Sequence, residues 1–224
     1  MNRPTLGSIA SIFAAFLLVC PAAPAFEVSL DSHSIRDAYF LGQRNDEKMA
    51  QFLDTYVKRP PLPEKGPYIS EIRILTPYAQ IVDISRARTE GYSAQQAEME
   101  YRSRGDLITV CVRIEFTTAY GVAEIRRSAH GSKGETNYTL RSEDFWKVFK
   151  VGLSQKDQWI KPLEQWGRSV GAWSEGEDSV GMGGAVIWLT FSVKDVDSSQ
   201  ASVEVVTPDG QHVIAAKFEL DKLK

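Results

Sequence analysis

Histidine is scarce in this 224-residue chain, which holds three: His33, His130 and His212. They fall before a helix, in a turn-rich stretch and in a terminal strand. No pair has the i, i+4 spacing that sets two imidazoles on one helix face. No metal site, cofactor or catalytic set is assigned from the sequence. Cysteine is rarer still, with two residues. Cys20 lies in an apolar N-terminal stretch and Cys111 in an apparent strand. A chain that loses its first residues therefore keeps one thiol and closes no intrachain disulfide. It must stand on its hydrophobic core, and at about 200 residues it can bury roughly 70% of its unfolded surface. A surplus of one charge is also missing: 26 basic residues face 29 acidic ones, net −3. That excludes a global footprint for nucleic acid. Beyond the N-terminus no apolar run approaches the roughly 20 residues of a spanning helix, so no transmembrane segment is expected in the mature chain.

What is present begins with an address. Residues 1–25 read as a secretory signal peptide: Arg3, an apolar run from Ile9 to Val19, then Ala23-Pro-Ala25 as a small-x-small cleavage signal. The apolar run is too short for an anchor, and bulky Val19 before Cys20 fits lipoprotein processing poorly. An exported protein, periplasmic or secreted, is expected to begin at Phe26.

Residues 26–67 read as a helical N-terminal segment with a Pro-rich connector. Ser34 and Asp37 suggest a capping box and Gly42 a stop. Asn45 suggests a second cap. Met49, Phe52, Leu53, Tyr56 and Val57 then repeat with helical spacing until Pro60 and Pro61 end the helix.

From Tyr68 the period changes to two. Ile69–Thr76 and Tyr78–Ser85 read as strands split by Pro77. A Ser93/Gln96 capping box opens a helix over 94–102, with Gly105 as its stop. Leu107–Thr118 is the clearest strand, with Val110, Val112, Ile114 and Phe116 on one face. Further candidates are 121–127 with 136–141, 145–153 with 158–163, 185–193, and 201–207 with 212–220. Many short strands and few helices predict a mainly β fold. The expected form is an antiparallel β-sandwich over 68–224, immunoglobulin-like or a similar Greek key, with the N-terminal helices packed on it.

Catalytic signals are weak. Gly167-Arg-Ser169-Val-Gly171 matches the letters of a nucleophile elbow, but neither a parallel strand before it nor a helix after it is expected. Gly181-Met-Gly-Gly184 lacks the Lys-Ser or Lys-Thr of a phosphate loop. Glu175, Glu177 and Asp178 lack EF-hand spacing. Arg126, Arg127, His130 and Lys133 form at most a local anion patch. All five tryptophans fall within residues 146–188. Trp146 and Trp188 read as core. Trp166 and Trp173 read as members of a Gly-rich loop over 166–184, and they are the candidate ligand-binding residues, suited to sugars or peptides.

Three segments, Asp37-Ala-Tyr-Phe-Leu-Gly-Gln43, Gly66-Pro-Tyr-Ile-Ser-Glu71 and Val206-Thr-Pro-Asp-Gly-Gln211, resemble a group of uncharacterised exported bacterial proteins over nearly all of the mature chain. The resemblance implies export and carries no activity or site. The expected function is that of a non-catalytic exported protein of the bacterial cell envelope, binding an envelope protein or glycan or serving a structural role. The alternatives are an exported hydrolase with a dispersed site, and a subunit of an envelope assembly docking through residues 32–59.

Overall fold

The computed structural model describes residues 26–63, 67–88, 90–117, 144–173, 180–197, 199–208, 210 and 213–224. Its helices are α1 (Ser32–Gln43), α2 (Glu47–Asp54), α3 (Pro77–Ala87) and α4 (Ala94–Arg104). Each opens on a short polar side chain, Asp31, Asp46, Thr76 or Ser93. Each of these accepts the backbone N–H three residues on, satisfying an amide the helix leaves unpaired. The Ser93–Gln96 box sits where its sequence places it. The other caps differ: Asp31 replaces Ser34, and Asp46 replaces Asn45. Gly42 does not stop α1. It lies inside the helix, where a Cβ would come 2.4 Å from the Val82 carbonyl oxygen of α3.

Two further expectations are corrected. The helix predicted to reach Arg59 ends at Asp54, and Val57–Lys58 turns out as strand β1, paired with Arg73 and Ile72. The strand predicted over Tyr78–Ser85 is α3. Thr76 caps it and Pro77 occupies its first turn, where a missing amide costs nothing.

The remaining elements are strands: β2 (Pro67–Leu75), β3 (Leu107–Phe116), β4 (Lys150–Gln155), β5 (Gln158–Ile160), β6 (Glu164–Trp173), β7 (Val180–Ser192), β8 (Gln200–Val206) and β9 (Val213–Glu219). They form two antiparallel sheets, β1-β2-β3-β7-β6 and β5-β4-β8-β9. The chain is thus mainly β. Phe145–Val148, expected to start a strand, is a 3-10 turn ahead of β4. β4 and β5 meet at Lys156 and Asp157, whose φ values of 51° and 61° give the two-residue turn that matches strand twist. The predicted strands over 121–127 and 136–141 lie outside the described residues.

Period-two patterning builds the main core. Ile72, Ile74, Val110, Val112, Ile114, Ile187 and Leu189 of the larger sheet share one buried cluster with Leu153, Val203, Val205 and Phe218 of the smaller. A second cluster is helical: Leu30, Ile35, Ala38, Met49, Tyr78, Ile81, Val82, Ala97 and Tyr101. The N-terminal helices were expected directly on the sheets. Instead α1 packs chiefly on α3 and α4. Phe52 packs against both clusters and joins them. Among the described residues no helix is long and apolar enough to cross a membrane.

Candidate binding face

Strand β6 forms one margin of the larger sheet, with β7 as its neighbour. Its placement corrects the expected Gly-rich loop over 166–184: Trp166 and Trp173 both belong to β6, and Gly181, Gly183 and Gly184 belong to β7. Gly184 has a packing reason. A Cβ on Gly184 would come 2.0 Å from the Ile114 carbonyl oxygen, so β7 lies too close to β3 there for a side chain. Ladder register shifts between Val170 and Gly171, which marks a bulge nearby.

Successive side chains of a strand alternate between faces. On one face of β6 stand Trp166 and Arg168. Trp166 is directly opposite Trp188 of β7, and their indoles stack with centroids 4.0 Å apart and planes 12° apart. The Arg168 guanidinium carbon lies 5.6 Å from the Trp188 ring centroid. Trp166 keeps 45% of its surface exposed. On the other face Gly167 lies against Trp146, where a Cβ would be 2.5 Å from the ring's Cδ2. Trp146 is 8% exposed and belongs to the sheet core. It acts as the cushion under β6, as its core assignment predicted, although it sits in a turn.

The row containing the indole pair continues across the sheet through Cys111 of β3 to Arg73 of β2. Burial pushes the Cys111 thiol up, opposed by the nearby Arg73, whose Nη2 lies 3.7 Å from Sγ. A buried thiol with a raised pKa is a packing residue and a poor nucleophile. Trp188 was expected in the core. It is half-buried on the opposite face, because the core side of β7 belongs to Ile187 and Leu189.

The structure therefore brings Trp166 together with Trp188 and Arg168, and not with Trp173. Trp173 is seven positions further along the same strand, roughly 23 Å at the usual strand rise. A tandem Trp-Gly-Arg before a bulged, glycine-rich partner strand was the available signal. It was obscured because glycine density reads as loop.

Other candidate groups are dispersed. Ser169 stands opposite Ala185 within the antiparallel β6–β7 ladder, so its Gly-x-Ser-x-Gly letters form no strand-to-helix elbow. His33 pairs with Asp37 on α1, Nδ1 to Oδ2 at 3.1 Å, and both are exposed. His130, His212, Arg126, Arg127, Lys133, Glu175, Glu177 and Asp178 lie outside the described residues. Among the described residues no group of three or more His, Cys, Asp or Glu is placed to hold a metal ion. Comparison of the chain with known protein families, curated proteins and solved structures finds no match.

Proposed function

We propose that this chain is an exported, non-catalytic protein of the bacterial cell envelope, periplasmic or secreted, that binds a glycan or an envelope protein. The observation carrying this reading is the stacked Trp166–Trp188 pair, half open to solvent on a rigid sheet margin. Indoles bury at low conformational cost and present a flat apolar face with a polar edge, which suits sugar rings and peptide groups. The two sheets contribute to one core, which supports a sandwich arrangement of immunoglobulin-like or similar Greek-key type. The N-terminal address and the resemblance to exported bacterial proteins support the location.

The test is recovery of the tagged protein from its native envelope under mild conditions. The mature chain should begin Phe26-Glu-Val, and wild type should carry glycan or protein that Trp166→Ala does not. A product that keeps residues 1–25, or equal recovery by both proteins, contradicts the reading. Docking through residues 32–59 draws less support, because Ile35, Ala38 and Met49 are spent inside the helical cluster.

A further inference from the structure

Arg168 differs from most arginines of the structure. Eight others each have a carboxylate oxygen within 4.0 Å. Among the described residues Arg168 has none, and its near neighbour is the Trp188 ring. Arg36 is the other exception, and it too lies over an aromatic ring, Phe40, but on a helix where no indole pair accompanies it. On β6 Arg168 and the half-exposed Trp166 lie on the same side of the strand, two positions apart, roughly 7 Å.

We infer that the β6–β7 face selects acidic glycans, carbohydrate chains bearing carboxylates, with Trp166 taking the sugar ring and Arg168 the acid. This rests on the binding role proposed for the indole pair and names its ligand class. Two physical facts carry it. A guanidinium presents a planar fork of donors that matches a carboxylate bidentately, and the Arg168 guanidinium carbon, 5.6 Å from the Trp188 ring centroid, sets that fork beside the indole pair. Among the described residues no carboxylate takes up that fork. The chain as a whole is acidic, net −3, so attraction for a polyanion must come from such a local group and not from the global field. Glu164 stands two positions beyond Trp166 on the opposite side from Arg168 and on the same strand face. The row Glu164, Trp166, Arg168 therefore has a polarity: it accepts donors at one end and acids at the other, and this orients a chain laid along it.

The experiment measures affinity electrophoresis of the purified protein in polygalacturonate and in its methyl-esterified, uncharged counterpart, with polyglutamate as a peptide polyanion. Wild type should be retarded more by the acid than by the ester, and little by polyglutamate. Arg168→Gln should weaken binding to the acid form by about tenfold, one charge-assisted hydrogen-bonded pair, and weaken binding to the ester much less, so that the preference for the acid falls away. Arg168→Lys should recover part of the difference, having the charge without the fork. Trp166→Ala should lose both polymers while melting near wild type. Equal retardation by acid and ester, or a preference that survives Arg168→Gln, overturns the acidic selectivity and leaves the indole platform standing. Trp166-dependent binding to polyglutamate alone replaces the glycan by a peptide and overturns the inference. No retardation of wild type by any polymer removes the platform reading as well.

Discussion

At Gly167 one added methyl group would meet the Trp146 ring at 2.5 Å, and at Gly152 it would meet Trp159 Cζ3 at 1.8 Å. The shorter distance is the milder clash. Trp159 is 57% exposed and can swing off the sheet, whereas Trp146 is held in the core. Gly167→Ala should cost about 1–3 kcal/mol as overpacking, and Gly152→Ala under ~1 kcal/mol. Denaturant unfolding of the two variants checks the order, and a larger loss for Gly152→Ala would contradict it. Asp197 supplies a pH test. Lys156 first, then the side chain and backbone amide of Ser199, hold its carboxyl at about 2, below the ordinary 3.8. The folded state thus favours the charged form. Its small stabilisation is complete above the ordinary value and is lost as pH falls through about 2. An NMR titration should find that midpoint, and Lys156→Ala should move it upward. A midpoint near 3.8 in wild type would refute the contact.

Among the elements, Thr76 shows both what could be read and what was missed. Its side chain accepts the Ala79 amide and donates to the Lys224 carbonyl, so it starts α3 and ties that start to Lys224, two residues beyond the 3-10 turn Leu220–Lys222 that follows β9. Thr76→Ala should cost about 1–2 kcal/mol, and Thr76→Ser far less, measured by urea unfolding. Equal losses would mean that the hydroxyl contributes nothing. The signal for α3 was in the chain: a Thr-Pro start, and Tyr78, Ile81, Val82 and Ser85 at helical spacing, all buried. Reading Pro77 as a break between strands hid it. β3, β8 and β9 were legible because one face of each is apolar in strict alternation. β6 was not, because Gly167 answers to Trp146, a partner 21 residues away that no local pattern records. For the same reason Trp166 could be chosen from the sequence, while its stacking partner Trp188 could not. The helical stripe stops short of Tyr56, because α2 ends at Asp54. Tyr56 is buried in the sheet core and bonds Lys224, although it follows α2.

On the scale of the whole molecule, the helical cluster and the sheet core share Phe52, whose ring lies 5.1 Å from that of Tyr56 and 5.7 Å from that of Tyr78. Shared packing of this kind couples the two bodies. Phe52→Asp should cost several kcal/mol by placing an unpaired charge at their junction. Far-UV and near-UV circular dichroism should still lose signal at one temperature. Separate helical and sheet transitions would show that the two clusters fold independently. The proposed export and binding role, the fold and the indole pair then combine into one account, a carrier that presents a flat ligand face. Its most direct test is a binding titration of the native envelope glycan fraction against wild type, Trp166→Ala and Trp173→Ala, with a thermal melt of each. The account predicts that Trp166→Ala loses binding and melts within about 8 °C of wild type, the cost of a half-exposed ring and its stacking. It also predicts that Trp173→Ala binds as wild type does. Retained binding by Trp166→Ala, with a melt lowered by more than about 10 °C, would make the indole pair a structural plug and contradict the account.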